Sequence, residues 1–158
     1  MHFSCTRFQV ALTAAFLALP AGAQPQSAPV KLLPMMELNA DIHRIEAEVA
    51  FTQQTRMRGL MGRRLMGPIH GMLFVFEAPA AKQCMWMRNT LIPLSVAFID
   101  ERGKILNIED MQPQTESNHC SAGPARFALE MNLGWFSQRG LKAGMAINGI
   151  DRLPKPQN

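Results

Sequence analysis

Ile45, Ala47, Val49 and Phe51 alternate with Arg44, Glu46, Glu48 and Ala50, the period-two pattern of a half-buried strand. The strand-like region runs from Glu37 to Phe51, and Asn39-Ala40-Asp41 is a candidate turn within it. Thr52 is a suitable N-cap for a short helix over Gln53–Met61, in which Met57, Leu60 and Met61 share one face. Gly59 weakens that helix and Gly62 ends it. Met72–Phe76 is continuously apolar between Gly71 and Pro79, as expected of a strand buried on both faces.

Further strands are predicted at Lys82–Met87, Leu94–Ile99, Lys104–Glu109, Arg126–Asn132 and Met145–Ile150. Pro93 cannot donate to a ladder, so Arg88–Pro93 is an irregular bend. Asp100-Glu101-Arg102-Gly103 is a hairpin turn. In Arg126–Asn132, Phe127, Leu129 and Met131 are predicted to point inward. Arg126, Ala128, Glu130 and Asn132 occupy the other, more polar face. Gln112–Pro124 is a long polar loop, and a helical turn is expected near Trp135–Gln138. The short connections suit antiparallel pairing. The expected fold is therefore mainly β, an antiparallel β-sandwich or flattened barrel of about seven strands with two short helices.

Residues 1–23 have the composition of a signal peptide: Arg7, an apolar stretch from Phe8 to Leu19, Pro20, then Ala21-Gly22-Ala23. The apolar stretch is about 12 residues, short of the roughly 20 that span a bilayer. Residues 24–36 read as a proline-rich leader, 37–151 as one domain and 152–158 as a C-terminal tail. The expected product is an exported, periplasmic or secreted monomer that starts at Gln24 and has no membrane span. Cleavage leaves two cysteines, Cys84 and Cys120, and an even number in an oxidising compartment reads as one disulfide. The competing reading is a reactive Cys120 beside His119.

The mature chain carries 15 Lys and Arg against 12 Asp and Glu. Such a small excess without a basic-aromatic motif argues against a nucleic-acid partner. Arg56, Arg58, Arg63 and Arg64 form a local concentration, either a solvated face or a dock for an anion. The bend supplies Arg88, Asn89 and Thr90, and the polar face of a later strand supplies Glu130 and Asn132. With Arg56 and Arg63, these residues could hold a small polar or anionic ligand: guanidinium for charge, amide and hydroxyl for orientation. The bland alternative is that Asn89 and Thr90 satisfy backbone groups while Arg88 pairs with Glu130.

The sequence leaves three other functions open. Eleven methionines remain after cleavage, and Met85, Met87, Met111, His119 and Cys120 are candidate Cu(I) ligands, although methionines at strand spacing also make core. No cofactor is implied. No hydrolase, phosphate-loop or dinucleotide motif is present, which leaves only a loose carboxylate pairing of Glu130 with Asp100 or Glu109 for catalysis. Trp135-Phe136 or a sheet edge could dock an envelope protein partner.

Gly59-Leu60-Met61, Gly71–Phe76, Trp86-Met-Arg-Asn-Thr-Leu-Ile-Pro-Leu94, Ala97-Phe-Ile-Asp100 and Ala128-Leu-Glu130 together resemble the DUF192 family from about Glu37 to Ile150. The resemblance implies a mainly β single domain without an established activity. It matches Arg56 and Arg63 to arginines that flank the glycine-leucine-methionine triplet. This chain has Ser95 where many members have aspartate.

Overall fold

The computed structural model describes residues 32–153. The expected signal peptide, the leader up to Lys31 and residues 154–158 of the tail lie outside them. Among the described residues, no helix is long and apolar enough to cross a membrane.

Among the described residues nine strands form, β1 (Met35–Ala40), β2 (His43–Ala50), β3 (His70–Ala80), β4 (Cys84–Met85), β5 (Leu94–Ile99), β6 (Ile105–Met111), β7 (His119–Cys120), β8 (Ala125–Asn132) and β9 (Ile147–Asn148). Helix α1 spans Gln53–Arg58, and 3-10 turns cover Ser137–Arg139 and Ile150–Arg152. Seven strands make one sheet in the order β6-β5-β8-β3-β2-β1-β9, and β4 pairs with β7 in a small second sheet. The large sheet is a mixed, curled half-barrel. The mainly β expectation therefore holds.

Several boundaries move. The first predicted strand is a hairpin whose turn is Asp41-Ile42, with Asp41 at φ 53°. The β2–β3 pair is parallel, unlike the antiparallel pairing expected from short connections. Residues 51–69, which include α1, supply the long crossover that a parallel pair requires. α1 stops at Arg58 because Gly59 takes φ 46°, and Thr52 caps its start through a reciprocal bond with Thr55. The predicted loop around Cys120 contains β7, and the last predicted strand shortens to β9.

Period-two alternation sends Ile45, Ala47, Leu73, Ala97, Leu129 and Met131 to one face, where they pack with Trp135 and Phe136. Met72, Phe74, Val96, Phe98 and Ala128 pack on the other face with Leu60 and Met87. Every residue of β5 is buried. The face of β8 expected to be polar is thus covered as well.

Cys84 and Cys120 face each other across β4 and β7 as a disulfide, with Cα atoms 4.1 Å apart. A link across 36 residues stabilises the fold by roughly 3–4 kcal/mol on chain-entropy grounds. The Cys84→Ser/Cys120→Ser protein should lose about that much in urea unfolding; an unchanged midpoint would contradict it. Gly71 lies opposite Met131 where β3 and β8 meet. A Cβ there would sit 2.5 Å from the Glu130 carbonyl oxygen and against the Met131 sulfur. Gly71→Ala should therefore cost about 1–3 kcal/mol, measured in the same way.

Candidate functional site

Glu130 lies between Met72 of β3 and Val96 of β5, in register with both. The alternation of β8 turns its side chain toward the face covered by Leu60, Phe74 and Met87, and only 3% of the residue is exposed. Burial alone pushes its carboxyl up to about 8, with no neighbouring cation or hydrogen bond offsetting the loss of water. The side chain is therefore protonated at neutral pH.

Two segments close over this face. The turn after α1 places Leu60 in the core. The bend between β4 and β5 places Thr90, which is 5% exposed. Asn89 adopts φ 59°, a left-handed conformation that asparagine tolerates. Its carbonyl accepts a 2.9 Å bond from the Gly62 N–H, tying the bend to the turn. The Thr90 N–H donates to the Met87 carbonyl, and the Thr90 carbonyl accepts from the Gln114 N–H.

Between these segments runs a cleft of about 670 Å³, lined by Leu60, Met61, Phe74, Trp86, Thr90 and Glu130 among others. The buried residues Glu130 and Thr90 mark its inner end. Met57, 61% exposed, and Trp86, 45% exposed, mark its mouth. The volume falls within the range of small-molecule sites.

Of the seven predicted site residues, Arg56, Thr90 and Glu130 line the cleft. The Arg56 guanidinium is engaged by the protein itself. It donates to the Phe51 carbonyl at 2.6 Å, the Val75 carbonyl at 3.0 Å and the Glu77 carboxylate at 2.9 Å, clamping α1 to β3. Arg63 lies outside the lining and pairs with Glu48 at 2.6 Å. Arg88 is exposed and stacks on Trp86 at 4.7 Å instead of reaching Glu130. Asn89 is exposed, and its backbone makes the tie described above. Asn132 donates to the Met66 and Gly67 carbonyls. Arg56, Thr90 and Glu130 thus share one cleft, whereas the expected carboxamides of Asn89 and Asn132 lie outside its lining.

The apolar half of the cleft was not assigned from sequence. Its signal was the unbroken Met72–Phe76 run, which requires cover on both faces and therefore puts apolar side chains beside Glu130.

The other candidates separate. Met87 and Met111 are fully buried core residues, and Cys120 is held in the disulfide. Among the described residues, no group of three or more His, Cys, Asp or Glu could hold a metal ion. Asp100 accepts from the Arg102 and Lys104 N–H groups in its hairpin turn. Glu109 lies two strands from Glu130, on the far side of Val96, about 10 Å away by strand spacing, and accepts from Asn107. Trp135 and Phe136 are buried, and the Trp135 indole donates to the Pro68 carbonyl, so neither presents a docking surface. Ser95 donates to Asp110 and accepts from the Gly134 N–H on the face opposite the cleft.

A mainly β half-barrel with an acid-floored cleft on one face is the class this geometry defines. Residues 35–149 match DUF192, described as "Uncharacterized ACR", and the chain belongs to that family. A solved protein of unknown function from Novosphingobium aromaticivorans DSM 12444 is similar at TM-score 0.72 and 31% identity, covering 80% of this chain and 94% of its own. A protein from Sinorhizobium meliloti 1021, described as a candidate transcription regulator, is similar at TM-score 0.67 and 35% identity, covering 73% of this chain and 92% of its own. No curated protein matches the chain.

The raised Glu130 carboxyl has a signed consequence. Between its ordinary value of 4.5 and about 8, the unfolded chain has released the proton that the folded chain retains. This contribution to stability is complete below 4.5, falls as pH rises toward 8 and is flat above. The slope across that window should be on the order of 1 kcal/mol per pH unit. Urea unfolding across the window should show it, and Glu130→Gln should flatten the profile.

Proposed function

We propose that the protein is an exported, non-catalytic binding domain that takes a small polar ligand in the Glu130 cleft. One observation carries this reading: a buried carboxyl without a partner among the described residues lies at the inner end of a cleft of ligand size. Keeping such a group costs stability unless something uses its hydrogen bond. Thr90 adds a hydroxyl to the same cleft, and Leu60, Phe74 and Trp86 add apolar surface.

The arginines expected to bind an anion serve other partners. Arg56 is engaged by Phe51, Val75 and Glu77, and Arg63 pairs with Glu48. A neutral polar ligand therefore fits better than an anionic one. The cleft offers no paired nucleophile and base, which favours binding over turnover. Export rests on the composition of residues 1–23 and agrees with the disulfide. The regulator description of the Sinorhizobium meliloti protein is not carried over, because the mature charge is small and no basic-aromatic motif is present.

A thermal-shift screen of small polar metabolites tests the reading, with hits mapped by amide chemical shifts. Hits should move Leu60, Trp86 and Thr90, and Trp86→Ala should weaken them about tenfold. Shifts confined to the opposite face, around Trp135, would refute the site. For export, intact mass of protein recovered from the periplasm of a two-membrane host should correspond to a chain starting at Gln24. Recovery of the uncleaved chain from the cytoplasm would refute that half.

A further inference from the structure

We infer that the cleft selects uncharged ligands that present a hydrogen-bond acceptor, a carbonyl or carboxamide oxygen, to the Glu130 carboxyl, with an aromatic or alkyl body against Leu60, Phe74 and Trp86. The inference rests on the binding reading above and names its ligand class.

The argument begins with what surrounds the carboxyl. Its cross-strand neighbours are Met72 and Val96, both apolar and buried. A neutral carboxyl is an O–H donor with remaining acceptor capacity, whereas its ionised form only accepts. In this apolar setting the neutral form is favoured, so the group offers a donor to whatever enters.

The other charged groups of the cleft come from two elements. Arg56 and Arg58 belong to α1, and Glu77 belongs to β3. β5 carries no charged residue, and the Gln83–Trp86 segment contributes no titrating side chain because Cys84 is oxidised. A cationic ligand would meet the two arginines and would have to ionise Glu130 among apolar neighbours. An anionic ligand would bring a second charge to a site where Arg56 is engaged by Phe51, Val75 and Glu77 and the remaining guanidinium, Arg58, is exposed to solvent. Desolvating either charge is expensive. A neutral acceptor incurs neither cost and satisfies the carboxyl.

Three probes with the same ring isolate the terminal group: benzamide, benzoate and benzylammonium. Each is titrated at millimolar concentration into the mature protein and followed by amide chemical shifts. Benzamide should bind most tightly, with shifts at Leu60, Thr90 and Trp86. Its affinity should fall about tenfold or more between pH ~6.5 and ~9.5, because ionisation of Glu130 removes the donor. Glu130→Gln, whose amide does not ionise, should remove the pH dependence of whatever benzamide affinity it retains. Tighter binding of benzoate or benzylammonium in the cleft would overturn the ligand class and leave the binding reading standing. Equal benzamide affinity at both pH values in the unsubstituted protein would do the same, independently of how the variant folds. If none of the three perturbs the cleft, both the ligand class and the binding reading fall.

Discussion

Glu130 sits on a strand whose two faces are both covered, so an ionised carboxylate there loses most of its contact with water. β8 lies between β3 and β5, and both neighbours present apolar side chains beside it. Arg56 and Arg58 line the same cleft, but among the described residues no arginine pairs with the carboxyl. A protonated acid is what this position tolerates, and a protonated acid is a donor awaiting an acceptor. The chemistry of the cleft depends on that one consequence of burial.

The cleft itself is held open by backbone ties and by Arg56. The Asn89 carbonyl and the Gly62 N–H join the bend to the turn after α1. The disulfide holds β4 against β7, which fixes the segment carrying Trp86. Arg56 bonds α1 to β3 through the Val75 carbonyl and the Glu77 carboxylate, and to the chain before α1 through the Phe51 carbonyl. These contacts use the polar groups most suggestive of ligand binding in the sequence. A guanidinium that already meets several acceptors has little left for an anion.

Membership of DUF192 agrees with this architecture and adds no mechanism. Where many relatives have aspartate, Ser95 bridges Asp110 and the Gly134 N–H on the opposite face. That position therefore bears on β5, β6 and the turn after β8, not on the cleft.

Local patterns determined a good deal about this protein. Alternation located the β2, β5 and β8 strands, Thr52 marked the start of a short helix that ends at Gly59 and not at the expected Gly62, and cysteine parity indicated the Cys84–Cys120 bridge. These features arise from neighbouring residues or from simple counting, so a linear reading reaches them. The parallel β2–β3 pair, the cover over the second face of β8 and the partners of the arginines were decided only by the tertiary structure. Each depends on which distant segments meet. Alternation shows that Glu130 points away from Leu129, but only the packing of Leu60, Phe74 and Thr90 decides that it lies at the buried end of a partly apolar cleft.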